Sequence, residues 1–311
     1  ILFKSKMGRI DLRISTYPTL FGEKTVLRLL NLKEALFPLS SLGFRKDTET
    51  DFNNMLYGGE GIILVSGPTG SGKTTTLYST LNKMEKPDIN IVTIEDPIEF
   101  DLENINQAQV NTKSGVTFAS ALRSILRQDP DIIMVGEIRD DETVELAIRA
   151  ALTGHLVFST IHTNDAASGF TRLLNWNVEP FLIASTVKGI LAQRLVRRVC
   201  KECRQPYEAS EDELRMIGLE PQDSFEAYKG KGCLACRNTG FKGRIGIYEL
   251  LLVDAEISEL VLEQAPGYKI REQARKNGMR TLLEDGIIKV NRGDTTISEV
   301  YETLGTTKII I

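Results

Sequence analysis

The stretch Ile62-Ile63-Leu64-Val65-Ser66-Gly67-Pro68-Thr69-Gly70-Ser71-Gly72-Lys73-Thr74 decides the fold of this chain. Its apolar, β-branched beginning predicts a short buried strand, and residues 74–85 after it predict a helix. Gly67–Thr74 match the phosphate-binding loop pattern G-x-x-x-x-G-K-[ST] in full, in the strand–loop–helix context that this pattern requires. A chance glycine-rich turn would rarely carry every one of these positions.

The chemistry of such a loop predicts its ligand. Glycines let successive backbone N–H groups face phosphates, and the helix that follows adds a favourable dipole. Lys73 is expected to reach the β- and γ-phosphates of ATP, and the Thr74 hydroxyl to bind Mg²⁺. The predicted nucleotide site comprises Gly67, Pro68, Thr69, Gly70, Ser71, Gly72, Lys73, Thr74 and Thr75.

Strands and helices alternate from about residue 45, which predicts an α/β fold with a mostly parallel sheet covered on both faces. Predicted strands lie at 62–65, 89–94, 132–135 and 156–158, and predicted helices at 74–85, 118–126 and 142–152. After Pro180 we expect a long helix to about Arg198. Residues 1–40 contain two strand-like segments, 9–14 and 25–30, which are too few for an independent core.

Two carboxylates follow predicted strands, at the edge where sheet sites gather. Glu137 follows Val135-Gly136, and the metal-binding aspartate that usually ends this strand in P-loop proteins is missing. We therefore predict that Glu137 activates or orients the attacking water. Glu95 ends the strand 89–94 and is a second catalytic candidate, whereas Asp131 is expected to cap a turn.

The chain has two histidines, His155 and His162, and they flank one short predicted strand. His162, with Thr160 and Thr163, is expected at the carboxyl end of that strand, where it can sense the γ-phosphate through hydrogen bonds. His155 is either part of this site or a structural histidine that begins the strand.

The four cysteines form two pairs, Cys200-x-x-Cys203 and Cys233-x-x-Cys236, with 29 residues between them. Paired C-x-x-C turns are typical of a tetrahedral structural zinc site. Two disulfides are the alternative that the expected cytosolic compartment disfavours, and four unrelated thiols are the alternative that the pairing disfavours.

Composition bounds the function. Of the 311 residues, 41% are hydrophobic and 26% are charged, as in soluble globular proteins. The net charge of -4 argues against a generally basic surface that would coat nucleic acid. No apolar run approaches a membrane span and no secretory leader opens the sequence, so we expect a cytosolic protein that reaches membranes only through partners.

The motifs occur in an order that resembles the ATPases driving type II secretion and type IV pilus assembly, and the likeness covers nearly the whole chain. It is carried by residues 67–76, 93–99, 126–140, 153–165 and 244–249. The resemblance implies a RecA-like ATPase core, a homohexameric ring, nucleotide bound between two domains, and docking to inner-membrane platform and cytoplasmic docking proteins. In that family the missing aspartate is normal. The four cysteines favour the branch that assembles pili or pseudopili over the retraction branch.

The resemblance also assigns roles to the first residues. Arg13 and Arg28 match family positions that approach the γ-phosphate; the alternative is that both are solvated strand arginines. The family has a longer loop where Met7 meets Gly8, so either residues are missing there or the loop is shortened. The family's first N-terminal domain has no counterpart in this sequence.

These observations predict four regions: a partial second N-terminal domain (1–40), the RecA-like core (41–198), a tetracysteine zinc subdomain (199–244) and a C-terminal helical unit (245–311). The expected function is an ATP-hydrolysing motor peripheral to the cytoplasmic face of the inner membrane, with the choice between type II secretion and type IV pilus extension left open. One alternative is a DNA-translocating or conjugation-type ATPase, which the acidic balance and the cysteine module disfavour. Another is a nucleotide-gated scaffold without turnover, which Lys73, Thr74 and Glu137 disfavour. No nucleic-acid partner is expected.

Overall fold

The computed structural model describes residues 2–5, 8–31, 37–220 and 225–305. The strands are β1 (Leu2–Ser5), β2 (Gly8–Thr19), β3 (Gly22–Asn31), β4 (Gly61–Ser66), β5 (Ile91–Glu95), β6 (Asn106–Gln109), β7 (Ile132–Val135), β8 (Leu156–Ile161), β9 (Val187–Val199), β10 (Arg204–Glu208), β11 (Glu226–Gly230) and β12 (Phe241–Leu252). The helices are α1 (Lys46–Leu56), α2 (Lys73–Met84), α3 (Phe118–Ile125), α4 (Asp141–Leu152), α5 (Ala167–Leu174), α6 (Pro180–Thr186), α7 (Glu211–Met216), α8 (Ala255–Leu262), α9 (Gly267–Lys276), α10 (Leu282–Asn291) and α11 (Ile297–Leu304).

A mostly parallel sheet forms the centre of the molecule. Its described strands follow the order β12-β9-β4-β8-β7-β5-β6, and every neighbouring pair is parallel except β12 with β9. Alternate residues of β4 enter different hydrophobic clusters, with Ile62 and Leu64 on one face and Ile63 and Val65 on the other. Both faces are therefore covered, as the apolar strands predict.

The predicted α/β fold is confirmed, and so are the strands and helices around the phosphate loop, with ends shifted by up to three residues. Local sequence explains several of these ends. Helix α3 begins at a capping box, because Thr117 accepts from the backbone N–H of Ser120 at 3.1 Å and Ser120 accepts from that of Thr117 at 2.8 Å. Helix α4 begins where Asp140 accepts from the N–H of Thr143 at 2.8 Å.

The strand order brings the predicted site residues to one edge of the sheet. β4, β8, β7 and β5 run parallel and side by side, so their carboxyl ends meet. Gly67 follows β4, His162 follows β8, Glu137 follows β7, and Glu95 ends β5. Residues that lie far apart in sequence thus share one edge, as the alternating pattern predicts.

The long helix predicted up to Arg198 is wrong. Helix α6 ends at Thr186, and β9 occupies Val187–Val199 between β4 and β12. Leucine, alanine, glutamine and arginine favour helices when considered locally. Here, pairing with a neighbouring strand on each side decides the conformation, and most of β9 is buried.

Residues 245–252 also differ from the prediction of a helical C-terminal unit. They belong to β12, which crosses the predicted boundary at 244 and pairs antiparallel with β9, for example Ile247 with Arg194. In the described residues after β12, the helices α8 to α11 follow one another. The division of the chain into domains otherwise stays a prediction.

The first described residues form a separate antiparallel sheet in the order β1-β2-β3. Arg13 on β2 lies opposite Arg28 on β3 in the strand register, while the side chains of both arginines lie outside the described part of the structure. Lys6 and Met7, at the junction where either residues are missing or the loop is shortened, also lie outside it. Among the described residues, no helix combines the length and apolar character that crossing a membrane demands.

Candidate functional site

The phosphate loop has a backbone that its glycines make possible. Gly67, Gly70 and Gly72 have φ values of 149, 81 and 90°. A Cβ on Gly67 would lie 2.5 Å from the Ser71 hydroxyl oxygen and 2.6 Å from the Gln193 carbonyl oxygen, so no larger residue fits there. Residues 68–70 are exposed, which leaves the outer side of the loop open to a ligand.

Lys73 opens helix α2 beneath this loop. Its side chain is buried, and Nζ donates to the carbonyls of Gly67 at 2.7 Å and Pro68 at 3.1 Å. Burial lowers the pKa of Lys73 to about 8, the Glu137 carboxylate opposes this shift, and the Arg194 guanidinium adds to it. This environment therefore disfavours the charged form of Lys73, and the negative charge of a bound phosphate would favour it.

Thr74 and Thr75 follow in the first turn of α2, Thr74 exposed and Thr75 half-buried. An accessible hydroxyl beside a phosphate loop is a suitable oxygen ligand for Mg²⁺, which usually keeps several waters and takes few ligands from the protein. The donors present therefore fit that ion.

Glu137 and His162 lie together at the ends of neighbouring strands. His162 Nε2 is 3.5 Å from Glu137 Oε2, and the same carboxylate forms an ion pair with Arg139. The Glu137 side chain is only 13% exposed. The strand ends are tied to each other because Thr160 donates its hydroxyl to the Gly136 carbonyl at 2.8 Å. This carboxylate is positioned near Lys73, as its opposing effect on the lysine pKa requires.

Glu95 occupies a different environment, because its carboxylate is buried and hydrogen-bonded. Thr93 Oγ1 donates to it at 2.6 Å and Gln107 Nε2 at 3.0 Å, and the Tyr78 hydroxyl donates as well. Burial and the bond to Glu95 together raise the pKa of Tyr78. The network joins α2, β5 and β6. A catalytic role for Glu95 stays a prediction, and it requires one of these bonds to open.

The remaining strand-end residues have structural partners. His155 Nδ1 lies 2.8 Å from the Ala150 carbonyl oxygen and 3.1 Å from Thr153 Oγ1, next to the beginning of β8. Asp131 accepts from the backbone N–H of Asn90 at 2.6 Å, which agrees with the predicted turn-capping role. These contacts favour the structural interpretation of His155.

Sequence reasoning missed Gln193, because it assigned this residue to a helix. Gln193 is completely buried on β9; its Nε2 donates to the Ser71 carbonyl at 2.8 Å and its Oε1 accepts from Thr76 Oγ1 at 2.8 Å. One amide thus bridges the phosphate loop and the first turns of α2. No local motif marks it; only the pairing of β9 with β4 brings it there.

Arg194, also missed, is a buried cation beside the same site. It donates to the carbonyls of Asn164 at 2.8 Å and Gln193 at 3.0 Å, so it joins β9 to the loop after β8. Burial lowers the pKa of this guanidinium below its ordinary value. In the same loop, Thr163 Oγ1 lies 2.6 Å from the hydroxyl of Ser66, the last residue of β4.

The four cysteines converge, and each is a free thiol. Their sulfurs all lie within 4.8 Å of one another, with Cys200–Cys233 at 3.8 Å, Cys203–Cys236 at 3.9 Å and Cys233–Cys236 at 3.7 Å. Four sulfurs at about 2.3 Å from one zinc ion in a tetrahedron are about 3.8 Å apart. The separations fit a zinc site and exceed a disulfide bond of about 2.05 Å.

Backbone donors add to this fit. The N–H groups of Cys233 and Gly240 point to Cys236 Sγ at 3.2 and 3.3 Å, and such bonds stabilise a thiolate. Gly230 and Gly240 pack so closely that a Cβ on Gly230 would lie 2.1 Å from the Gly240 carbonyl oxygen. The segments on either side of the second cysteine turn can therefore approach this closely only with glycine at these two positions.

The family model described as "Type II/IV secretion system protein" matches residues 1–302. The chain is 50% identical over 293 residues to the type IV pilus assembly ATPase PilB of Thermus thermophilus, and 46% identical over 291 residues to the type II secretion system ATPase E of Vibrio cholerae. Each match covers 94% of this chain, which spans 33% of the first relative and 58% of the second.

A solved structure is similar over the whole chain. The pilus retraction motor PilT with bound ADP matches with a TM-score of 0.72 and 28% identity, covering 100% of this chain and 78% of that one. The family model, the relatives and the shared fold agree with the resemblance that the motifs carry. The chain belongs to the Type II/IV secretion system protein family.

Proposed function

We propose that this chain is the ATP-hydrolysing subunit of a motor that powers the assembly of a pilus or pseudopilus. The single observation that carries the proposal is the phosphate loop after β4, in which buried Lys73 lies under an open glycine-rich backbone with Glu137 nearby. The two relatives from Thermus thermophilus and Vibrio cholerae are named as ATPases. The reaction is ATP + H₂O to ADP + phosphate.

The proposed binding roles belong to the loop and the first turn of α2. Backbone N–H groups of residues 69–73 bind the phosphates, and Lys73 exchanges its two carbonyl partners for phosphate oxygens. Thr74 and Thr75 lie where α2 directs its N-terminus towards the nucleotide. The Thr74 hydroxyl would hold Mg²⁺, which would supply positive charge to offset the negative charge of the phosphates.

Glu137 is proposed to orient the attacking water, because its carboxylate is mostly buried at the strand edge that faces the loop. Arg139 and His162 contact this carboxylate, and His162 is proposed to sense the γ-phosphate through hydrogen bonds. Glu95 is a second candidate that acts only if its hydrogen bonds open. Arg13 and Arg28 are proposed to approach the γ-phosphate, where an arginine can stabilise the transition state.

We further propose that the subunit works as a homohexamer, with nucleotide between the strands of residues 1–40 and the core. Closure around ATP and reopening after hydrolysis would move an inner-membrane platform protein, with cytoplasmic docking proteins as further partners and no nucleic acid. The motor would be peripheral to the cytoplasmic face of the membrane. The choice between type II secretion and type IV pilus assembly stays open, because relatives from both systems are similarly close in sequence.

The four cysteines are proposed to bind a structural zinc ion. Four thiolates at tetrahedral separations leave no open position for a substrate, so the metal would stabilise the fold rather than take part in hydrolysis.

Steady-state ATP hydrolysis against protein concentration, with size-exclusion chromatography, tests the proposal. Wild type is compared with Glu137→Gln, Arg28→Ala and the control Glu145→Gln, which alters an exposed carboxylate on α4 paired with Arg149. We expect the rate per subunit to increase with assembly. Glu137→Gln should lower kcat by about 10²- to 10⁴-fold while nucleotide still binds, and Arg28→Ala should lower it at every concentration.

The control should keep the wild-type rate. If the Glu137→Gln protein hydrolyses ATP as fast as the wild type, Glu137 has no role in hydrolysis. If the rate depends neither on assembly nor on Arg28, the protein is a self-contained monomeric ATPase and the ring-motor proposal is wrong.

A further inference from the structure

One stretch around the second cysteine pair of the lobe at residues 199–244 carries positive charge only. Residues 227–248 contain five lysines and arginines and no aspartate or glutamate, although the whole chain has a net charge of -4. The cations are Lys229, Lys231, Arg237, Lys242 and Arg244, and all are exposed. The phosphate site and the cysteine cluster do not explain this excess of positive charge.

An apolar residue stands at the tip of the lobe. Leu234 is 93% exposed, in the turn between Cys233 and Cys236. Backbone hydrogen bonds close this turn, from Asn238 N–H to the Cys233 carbonyl at 2.9 Å and from Arg237 N–H to the Leu234 carbonyl at 3.2 Å. The turn therefore holds the leucine in solvent, where an apolar side chain gains nothing in the isolated protein.

The cysteine cluster gathers cations around this leucine. Cys200 Sγ lies 3.8 Å from Cys233 Sγ, so the turn of Lys201 sits beside the turn of Leu234. Lys231 precedes that turn, with its N–H bonded to the Cys203 carbonyl at 3.0 Å, and Arg237 ends it. We name Lys201, Lys231, Leu234 and Arg237 the knuckle tip.

The cations of the knuckle tip are available to an outside partner. In the described part of the chain, no carboxylate forms an ion pair with Lys201, Lys231 or Arg237. Glu202 is exposed in the first turn and is the one acid within it, so the positive charge exceeds the negative charge there.

We propose that the knuckle tip docks directly on an anionic lipid bilayer, in addition to any contact that partner proteins make. Lysines and arginines near the surface are attracted by the charge of anionic headgroups, and a lone exposed leucine can enter the boundary between headgroups and acyl chains. A protein partner would be expected to meet a wider apolar patch, and single-stranded nucleic acid an exposed aromatic ring. At this tip the exposed apolar side chains are Leu234 and its neighbour Ala235.

Vesicle co-sedimentation tests the proposal with the full, zinc-loaded chain and without nucleotide. The vesicles contain phosphatidylglycerol in phosphatidylcholine, or phosphatidylcholine alone, at low and high salt. We expect binding to the anionic vesicles that weakens with salt, and little binding to the neutral ones. Leu234→Asp and the double variant Lys231→Glu/Arg237→Glu should each lower the affinity by at least about tenfold.

Matched controls change similar side chains elsewhere. Leu262→Asp alters a leucine that is 51% exposed at the end of α8, and Lys269→Glu/Lys276→Glu reverses two exposed charges on α9. Both controls should bind vesicles like the wild type. Zinc content and ATP hydrolysis in solution are measured for every variant, so a loss of vesicle binding is separated from misfolding and from failure of the proposed enzyme activity.

The proposal is overturned if the knuckle-tip variants and the controls bind vesicles equally, or if neutral vesicles bind as well as anionic ones. It is also overturned if the wild type binds polyglutamate or DNA in a knuckle-tip-dependent manner and does not bind anionic vesicles. Binding to polyglutamate would indicate an acidic protein as the partner, and binding to DNA would indicate a nucleic acid.

Discussion

At the residue scale, the phosphate loop depends on an amide that its own motif does not include. Gln193 satisfies the Ser71 carbonyl and the Thr76 hydroxyl together, in a fully buried position. A buried polar group left without its partner costs about 1–3 kcal/mol, so the loop geometry is sensitive to this one side chain.

Replacing Gln193 with leucine should therefore weaken ADP binding by about tenfold or more, because the loop loses the bond that fixes Ser71. Isothermal titration calorimetry measures the change. Thr80→Val is the matched control. The Thr80 hydroxyl is buried in α2, the helix that Gln193 contacts through Thr76, but it donates only to the Thr76 carbonyl, at 2.8 Å. Equal ADP affinity in Gln193→Leu and the wild type would contradict the bridging role.

Lys73 gives a pH prediction at the same scale. Burial lowers its pKa to about 8, against the effect of Glu137, and phosphate oxygens favour its charged form. Nucleotide binding should therefore take up a proton above about pH 8. We expect ADP affinity to vary little below about pH 7.5 and to fall by up to about tenfold per pH unit at higher pH.

Calorimetry at about pH 9 in two buffers of different ionisation enthalpy measures this proton uptake. Lys73→Arg should bind ADP more weakly but lose the pH dependence, because the guanidinium stays charged. Binding without proton uptake at this pH would show that Lys73 is already charged in the free protein.

At the element scale, one carboxylate on β12 fixes the beginnings of two helices. Glu249 Oε1 accepts from the N–H of Ala166, before α5, at 2.8 Å, and Oε2 accepts from that of Leu282, the first residue of α10, at 3.3 Å. Asp165 in the same loop forms an ion pair with Arg271 on α9. The loop after β8 is thus tied to the C-terminal helices.

The environment of Glu249 predicts how stability changes with pH. Burial raises its pKa from 4.5 to about 7, the Ala166 N–H opposes this shift, and Asp165 adds to it. Between these pH values the folded state binds more protons than the unfolded state. The contribution of Glu249 to the free energy of unfolding therefore falls as pH rises through this window, by at most about 1.4 kcal/mol per pH unit.

Urea unfolding at about pH 5.5, 6.5 and 7.5 tests this slope. Glu249→Gln should remove the contribution, while the control Glu256→Gln, an exposed carboxylate in the first turn of α8, should keep it. Identical slopes in the wild type and Glu249→Gln would mean that Glu249 is already ionised in the folded protein at low pH.

At the scale of the whole molecule, the cysteine lobe and the central sheet differ in what stabilises them. The sheet buries both faces of its strands, whereas β10 and β11 form a two-stranded sheet of the kind that is marginal without support. The four sulfurs supply that support if they bind a metal ion.

Removing zinc with a chelator should therefore unfold the lobe before the sheet. We expect backbone amides of residues 204–230 to exchange with solvent at least about tenfold faster, with little change in β4 and β7. Hydrogen exchange with mass spectrometry measures this. Re-adding zinc should restore protection. If chelation does not change the exchange rates, a metal ion does not stabilise the lobe.

Local chemistry determined a large part of this fold. The stretch from Ile62 to Thr74 predicts strand, loop and helix, because glycines, lysine and threonine at fixed positions are needed by the loop itself. Predicted strands such as 132–135 follow from runs of buried apolar residues. Glu137 and His162 could be placed at strand ends from sequence, and the parallel order of β7 and β8 brings them together.

Tertiary structure alone decided the rest. The residues of β9 have side chains that favour a helix, and they form a strand because β4 and β12 offer hydrogen bonds on both sides. That pairing, in turn, positions Gln193 and Arg194 beside the phosphate loop, about 120 residues away in sequence. A motif records only neighbours along the chain, whereas the free energy of a buried strand or a buried amide depends on the partners that folding brings to it.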